Sequence, residues 1–219
     1  MLFHAATLLA HALLAPYGDG AGTSVDAATD ETNPRAWVIG PIINGRNYSQ
    51  GMPLHPSPGP RGGWHIDLPR APGSVHYVTF RHGSLAGKSR IVMRYRIEAA
   101  PGVRIAPATS PASPSMITLY FQRRGDNWSA RGRFETYRWY ATFATQSPIV
   151  PGAHEMIAPL NGNWTAVMTS SARSDPAAFR DAIAAADQVG FVLGGGDGYG
   201  HGVFATGRAR LIVTEFRVE

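Results

Sequence analysis

From Arg90 to Glu98 the chain reads Arg-Ile-Val-Met-Arg-Tyr-Arg-Ile-Glu, with Ile91, Met93, Tyr95 and Ile97 at every second position and Arg90, Arg94, Arg96 and Glu98 between them. Successive side chains of a strand point to opposite faces, so this spacing predicts a strand with one face on a core and the other in water. Six more segments carry strand signals: Val75–Phe80, Met116–Gln122, Phe134–Phe143, Trp164–Thr169, Gln188–Leu193 and Ala209–Val218. In the second, Ile117, Leu119 and Phe121 share the inner face. In the third, Tyr137, Trp139, Ala141 and Phe143 share one face, and Arg138 and Tyr140 the other.

Turn dipeptides separate these runs, among them Pro101-Gly102, Gly125-Asp126, Pro151-Gly152 and Asn161-Gly162. One segment predicts a helix. Asp175 caps it, Pro176 opens it, and Phe179, Ala182, Ile183 and Ala186 form an apolar stripe. With 25 Gly and 17 Pro the chain suits short strands and turns better than long helices. No strand–helix alternation suggests a parallel sheet. The fold expected is all-β: a two-sheet antiparallel β-sandwich, jelly-roll-like, with one short helix.

The absence of Cys excludes a disulfide scaffold, Cys-ligated zinc and thiol catalysis. Leu2–Ala15 is almost wholly apolar or small, too short to span a bilayer, and matches the central region of a secretory signal peptide. Residues 1–27 are read as signal peptide and tether, 28–36 as linker and 37–219 as the sandwich domain. The location expected is secreted or periplasmic.

The formal net charge is +5, and every basic residue except Lys88 is Arg. Between Arg81 and Arg138 lie eleven basic residues and three acids, Glu98, Asp126 and Glu135. Such a patch attracts anionic polymers. Nucleic acid is the weaker choice of partner, because no reading helix, zinc finger or Arg/Gly tract is present.

Two segments carry candidate chemistry. The first is Gly194-Gly195-Gly196-Asp197-Gly198-Tyr199-Gly200-His201-Gly202. No Gly-Lys-Ser/Thr and no helix follows, so it is neither a phosphate cradle nor a dinucleotide fingerprint. It reads as a strand connection presenting Asp197, Tyr199 and His201. The second is Gln122-Arg123-Arg124-Gly125-Asp126-Asn127-Trp128. Arg, Asp and Asn pair with hydroxyls and carboxylates, and an indole packs on the apolar side of a sugar. Tyr120, Gln122, Arg124, Asp126, Trp128, Arg138, Tyr140, Tyr199 and His201 are therefore the expected ligand-binding set, on an open sheet face. His65 and Asp67 share a strand face but lack a third ligand, so a solvated face is expected there and no metal site.

The run from Phe179 through Val189-Gly190-Phe191-Val192-Leu193-Gly194-Gly195-Gly196 to Gly200-His201-Gly202-Val203 and Phe216-Arg217-Val218 resembles the last strands of galactose-binding-like and carbohydrate-binding-module-like β-sandwiches, among uncharacterised bacterial proteins. The resemblance covers residues 37–219 in strand order. It implies saccharide binding without catalysis and often a structural calcium, although no acidic cluster stands out here; no cofactor is otherwise expected.

The leading expectation is an exported, non-catalytic carbohydrate-binding module, with acidic polysaccharide one candidate ligand. A jelly-roll polysaccharide lyase or glycoside hydrolase is the enzymatic alternative. It would use Asp126 with Glu135, or His76, Tyr77 or His201 beside Arg138. A surface or virion assembly protein is the third reading.

Overall fold

The computed structural model describes residues 31–219 except 60, 61, 72, 142, 169 and 198, so the expected signal segment lies outside the described residues. Its strands are β1 (Trp37–Gly40), β2 (Ile42–Ile43), β3 (Arg46–Asn47), β4 (Ser57–Pro58), β5 (Trp64–Asp67), β6 (Tyr77–Arg81), β7 (Arg90–Ala99) and β8 (Ile105–Pro107). They continue with β9 (Met116–Arg123), β10 (Arg138–Ala141), β11 (Ser147–Pro148), β12 (Gly152–Pro159) and β13 (Trp164–Ala166). Helix α1 (Pro176–Ala184) leads into β14 (Ala186–Gly194), β15 (Val203–Ala205) and β16 (Ala209–Val218).

Two antiparallel sheets form the sandwich. The larger runs β1-β6-β14-β9-β10-β13, with β11 also on β9, and the smaller runs β12-β7-β16-β5-β4. The chain passes from one sheet to the other between β5, β6, β7 and β9, and again at β12, β13 and β16. Each crossing brings sequence-distant strands side by side, as in a jelly-roll-like double sheet.

The alternation read from the sequence holds in the longest strands. Along β7, Ile91, Met93, Tyr95 and Ile97 are buried, whereas Arg90, Arg94, Arg96 and Glu98 are exposed. Trp37, Trp64, Phe80, Phe191 and Phe216 build one end of the core, with the Trp37 ring 4.7 Å from both Trp64 and Phe80. Both indole N–H groups donate to the Glu31 carbonyl, at 2.9 and 3.2 Å. Phe121, Trp139, Trp164 and Phe179 fill the other end. Helix α1 plugs it: the Asp175 carboxylate accepts the Ala178 N–H at 3.0 Å, and Phe179 and Ala182 face inward. Fully burying each such aromatic contributes on the order of 1.5–3 kcal/mol.

Two strand expectations are corrected. Residues 134–136, expected as the start of a strand over Phe134–Phe143, belong instead to a 3-10 turn (Gly132–Thr136), and the strand is confined to β10. Gly132 adopts φ +56 and its N–H donates to the Glu135 carboxylate at 3.2 Å, which closes the turn on itself. Strand β12 was not expected. It pairs with β7 along its whole length, from Gly152 opposite Ile97 to Pro159 opposite Arg90, at an edge where only Met156 and Ala158 are buried.

Candidate functional site

The outer face of the larger sheet carries the polar and aromatic residues that the core rejects. Pairing register places them in rows across the strands. One row is Val38, Thr79, Gly190, Tyr120, Tyr140 and Thr165. A second is Arg81, Gln188, Gln122 and Arg138. Tyr77 and Val192 lie in the row on the opposite side of the first.

The expected open face is closed over its β9–β10 half. Tyr120, Gln122, Arg138 and Tyr140 are all buried. Two loops cover them. The loop 124–131 lays Trp128 edge-on against Tyr77, 5.2 Å between ring centres. The glycine loop lays Tyr199 edge-on against Tyr140 at 5.1 Å. Beneath, the Tyr77 and Tyr140 hydroxyls meet at 2.7 Å. Burial pushes the hydroxyls of Tyr77, Tyr120 and Tyr140 up from their ordinary range, so all three stay protonated at neutral pH.

Loop 124–131 is anchored by an ion pair. Arg138 Nη1 lies 3.0 Å from Asp126 Oδ2, and both side chains are almost completely out of solvent. The same carboxylate accepts from Gln122 Nε2 at 2.9 Å and from the Trp128 N–H at 3.1 Å. Burial raises the Asp126 carboxyl; Arg138 and these donors pull it back. The Arg138 guanidinium also donates to the Trp128 carbonyl at 3.4 Å and stands 4.6 Å from its ring centre. Trp128 is thereby held at φ +66, a left-handed conformation that costs a non-glycine residue roughly 1–2 kcal/mol.

The glycine loop is a close-packed cover. A Cβ on Gly200 would come within 2.6 Å of the Tyr77 ring. The Gly200 carbonyl accepts from His76 Nδ1 at 3.1 Å, leaving Nε2 to accept from the Ser74 hydroxyl at 2.9 Å. Burial holds the His76 imidazole below its ordinary pKa. His201 sits on the outside of the loop, half-exposed, with Nε2 3.3 Å from the Asp197 carboxylate.

Toward β1 the same face stays open as a cleft of about 330 Å³. Val38, Thr79 and Gln188 form its floor, Trp128 and Tyr77 one wall, and Pro41 and Ile42 the other, with Arg81 at the rim. That volume falls in the roughly 300–1,000 Å³ range of small-ligand sites. A bulge between Ala186 and Gln188 sets Asp187 apart from the ladder. Its carboxylate lies 3.7 Å from Arg81 Nε and 3.6 Å from Arg124 Nε.

The structure thus gathers Tyr120, Gln122, Asp126, Trp128, Arg138, Tyr140 and Tyr199 into one cluster, leaves Arg124 on its rim and puts His201 outside. Only Trp128 of that set lines the cleft. Sequence reasoning missed Val38, Thr79, Arg81 and Gln188. The available signal was alternation: Thr79 and Arg81 flank the buried Phe80 in β6 and point the other way.

Of the residues named for the enzymatic alternative, Arg138 pairs with Asp126 and donates to the Trp128 carbonyl, with Tyr77 close enough to feel its charge, while His201 lies beside Asp197. Glu135 accepts within its own 3-10 turn. Asp67 is ion-paired to Arg210 at 2.7 Å on the solvated face of the smaller sheet, and that bond holds its carboxyl below the ordinary value. Among the described residues no three His, Cys, Asp or Glu side chains gather in a group that could hold a metal ion. Among the described residues no helix is long and apolar enough to cross a membrane.

Fold and cleft together define an all-β sandwich with a ligand-sized groove on one sheet. No family model matches the chain, and no curated protein does. Among solved structures the chain is similar to a Bacteroides vulgatus protein provisionally described as a glycoside hydrolase. The identity is 9%, the TM-score 0.36, and the match covers 75% of this chain and 78% of that one. The sandwich agrees with the fold implied by the resemblance noted above; the comparisons assign no family.

Proposed function

We propose that this domain is an exported, non-catalytic saccharide-binding module whose site is the cleft beside Trp128. The observation that carries the reading is Trp128 itself. A bulky residue is kept in a costly backbone conformation, clamped at both its N–H and its carbonyl by a buried ion pair, with its indole walling an open cleft. Local strain of this kind is retained where the surrounding structure over-determines it, and it clusters at binding sites. Around the indole stand the groups a sugar ring needs: apolar Val38 and Ile42, the Thr79 hydroxyl, the Gln188 amide and the Arg81 guanidinium. Aromatic rings pack on the C–H faces of a pyranose, and amide and guanidinium groups pair with its hydroxyls. Among the described residues that line the cleft none is Asp, Glu or His, whereas glycoside hydrolysis in most families uses two carboxylates.

Affinity electrophoresis through gels containing neutral and acidic polysaccharides tests this. At least one polysaccharide should retard the protein, and Trp128→Ala should abolish the retardation while the far-ultraviolet dichroism stays that of the parent. Migration unaffected by every polysaccharide, or retardation indifferent to Trp128→Ala, would defeat the reading.

A further inference from the structure

The second row of the outer face repeats one residue pair. Gln122 lies opposite Arg138 on the neighbouring strand, and Gln188 lies opposite Arg81. Gln188 and Gln122 are themselves opposite each other, so the row reads Arg-Gln-Gln-Arg across β6, β14, β9 and β10. Three strand spacings make it about 14 Å long.

What the inner pair binds is on view. Asp126 Oδ2 accepts the Gln122 amide at 2.9 Å and stands in ion-pair contact with Arg138 Nη1 at 3.0 Å, so a single carboxylate oxygen lies between the two side chains. The outer pair has the same side chains on adjacent strands and opens on the cleft. Its Arg81 has no comparable partner. The Asp187 carboxylate stands 3.7 Å away and is shared with Arg124, and both arginine side chains are more than three-quarters exposed. One acid thus serves two bases at the rim, and no acid is among the described residues that line the cleft.

We infer that the saccharide taken by this cleft carries a carboxylate, as a uronic acid does, and that Arg81 and Gln188 bridge that carboxylate as Arg138 and Gln122 bridge Asp126. The inference rests on the saccharide-binding reading above and adds the charge of the ligand. Guanidinium–carboxylate hydrogen bonds are the strong, charge-assisted kind, and such a contact at a half-open rim weakens with added salt.

The test uses polygalacturonate, alginate and hyaluronan, each beside its carboxyl-reduced neutral counterpart, with single-stranded DNA as an anionic control. An acidic polymer should retard the protein about tenfold more strongly than its reduced form. Arg81→Gln or Gln188→Ala should remove most of that difference, with the thermal midpoint held near the parent's. Equal retardation by acidic and reduced polymers overturns the inference and leaves the saccharide module standing. No retardation by any polysaccharide removes both. Stronger retention by DNA than by every acidic polysaccharide also overturns it, as does acidic retention that survives both substitutions.

Discussion

The Arg138 guanidinium carbon stands 4.6 Å from the centre of the Trp128 ring while Nη1 of the same group lies 3.0 Å from Asp126. One buried cation therefore fixes both the loop's acidic anchor and its aromatic tip. Removing one member of a buried pair strands the other charge, at a cost of about 3–5 kcal/mol. Asp126→Asn should lower unfolding stability by about 3 kcal/mol in urea titration. Arg138→Met combined with Asp126→Leu should cost less than the sum of the two single changes, because both remove the same interaction. Additive costs would mean that the pair is not coupled.

Ala130 sits in the same loop at φ +51, where its methyl group is a liability. Glycine adopts that conformation freely but loses more backbone entropy on folding. The balance favours Ala130→Gly by about 0.5–1 kcal/mol. A rise in the denaturation midpoint with an unchanged urea slope is the expected signature; a fall would show that the loop does not hold this backbone in solution.

Gly200→Ala tests the second cover. Its Cβ would meet the Tyr77 ring at 2.6 Å and Val192 Cβ at 2.9 Å, so the glycine loop must lift. Overpacking of this kind costs about 1–3 kcal/mol. The displaced loop should also raise hydrogen exchange at the amides of residues 199–202. An alanine variant as stable and as protected as the parent would contradict the close approach.

Acidification should weaken the fold from about pH 6.5 downward. Burial depresses the pKa of both His76 and His82 below the ordinary 6.5. Below pH 6.5 the unfolded chain therefore binds more protons than the folded one, and stability falls as pH falls. The thermal midpoint should drop between about pH 7 and pH 5, and His76→Gln should flatten the drop. A midpoint independent of pH across that range would argue against neutral, buried imidazoles.

How much of this was legible beforehand depends on how locally each element is encoded. Strand β16 begins and ends at the residues expected from alternation, and α1 starts at the expected cap, because Ala209–Val218 and Asp175–Ala186 each carry their pattern within one segment. Strand β12 escaped notice because an edge strand needs few inward residues, and Gly152-Ala153 and Pro159 disguise the rest. Tyr120, Gln122, Arg138 and Tyr140 were correctly placed on the non-core face, yet they are buried. Alternation reports which side of a sheet a residue takes, and it is blind to a distant loop lying over that side. The charge pattern held a partial clue, since Asp126 is the one acid between Glu98 and Glu135 and stands four residues from Gln122. The cleft was harder to foresee. It needs Val38 beside Thr79 and Gln188 beside Arg81, contacts between residues some forty and one hundred positions apart.

The distribution of the five tryptophans has a practical outcome. Trp37, Trp64, Trp139 and Trp164 are sealed in the core, and Trp128 alone is half-buried at the cleft. Native fluorescence therefore divides into a blue-shifted background that solvent does not reach and one solvent-sensitive emitter. An external quencher such as acrylamide would reach that emitter first, and a bound sugar would shield it. The molecule thus carries a built-in optical probe of its own groove, usable without any label.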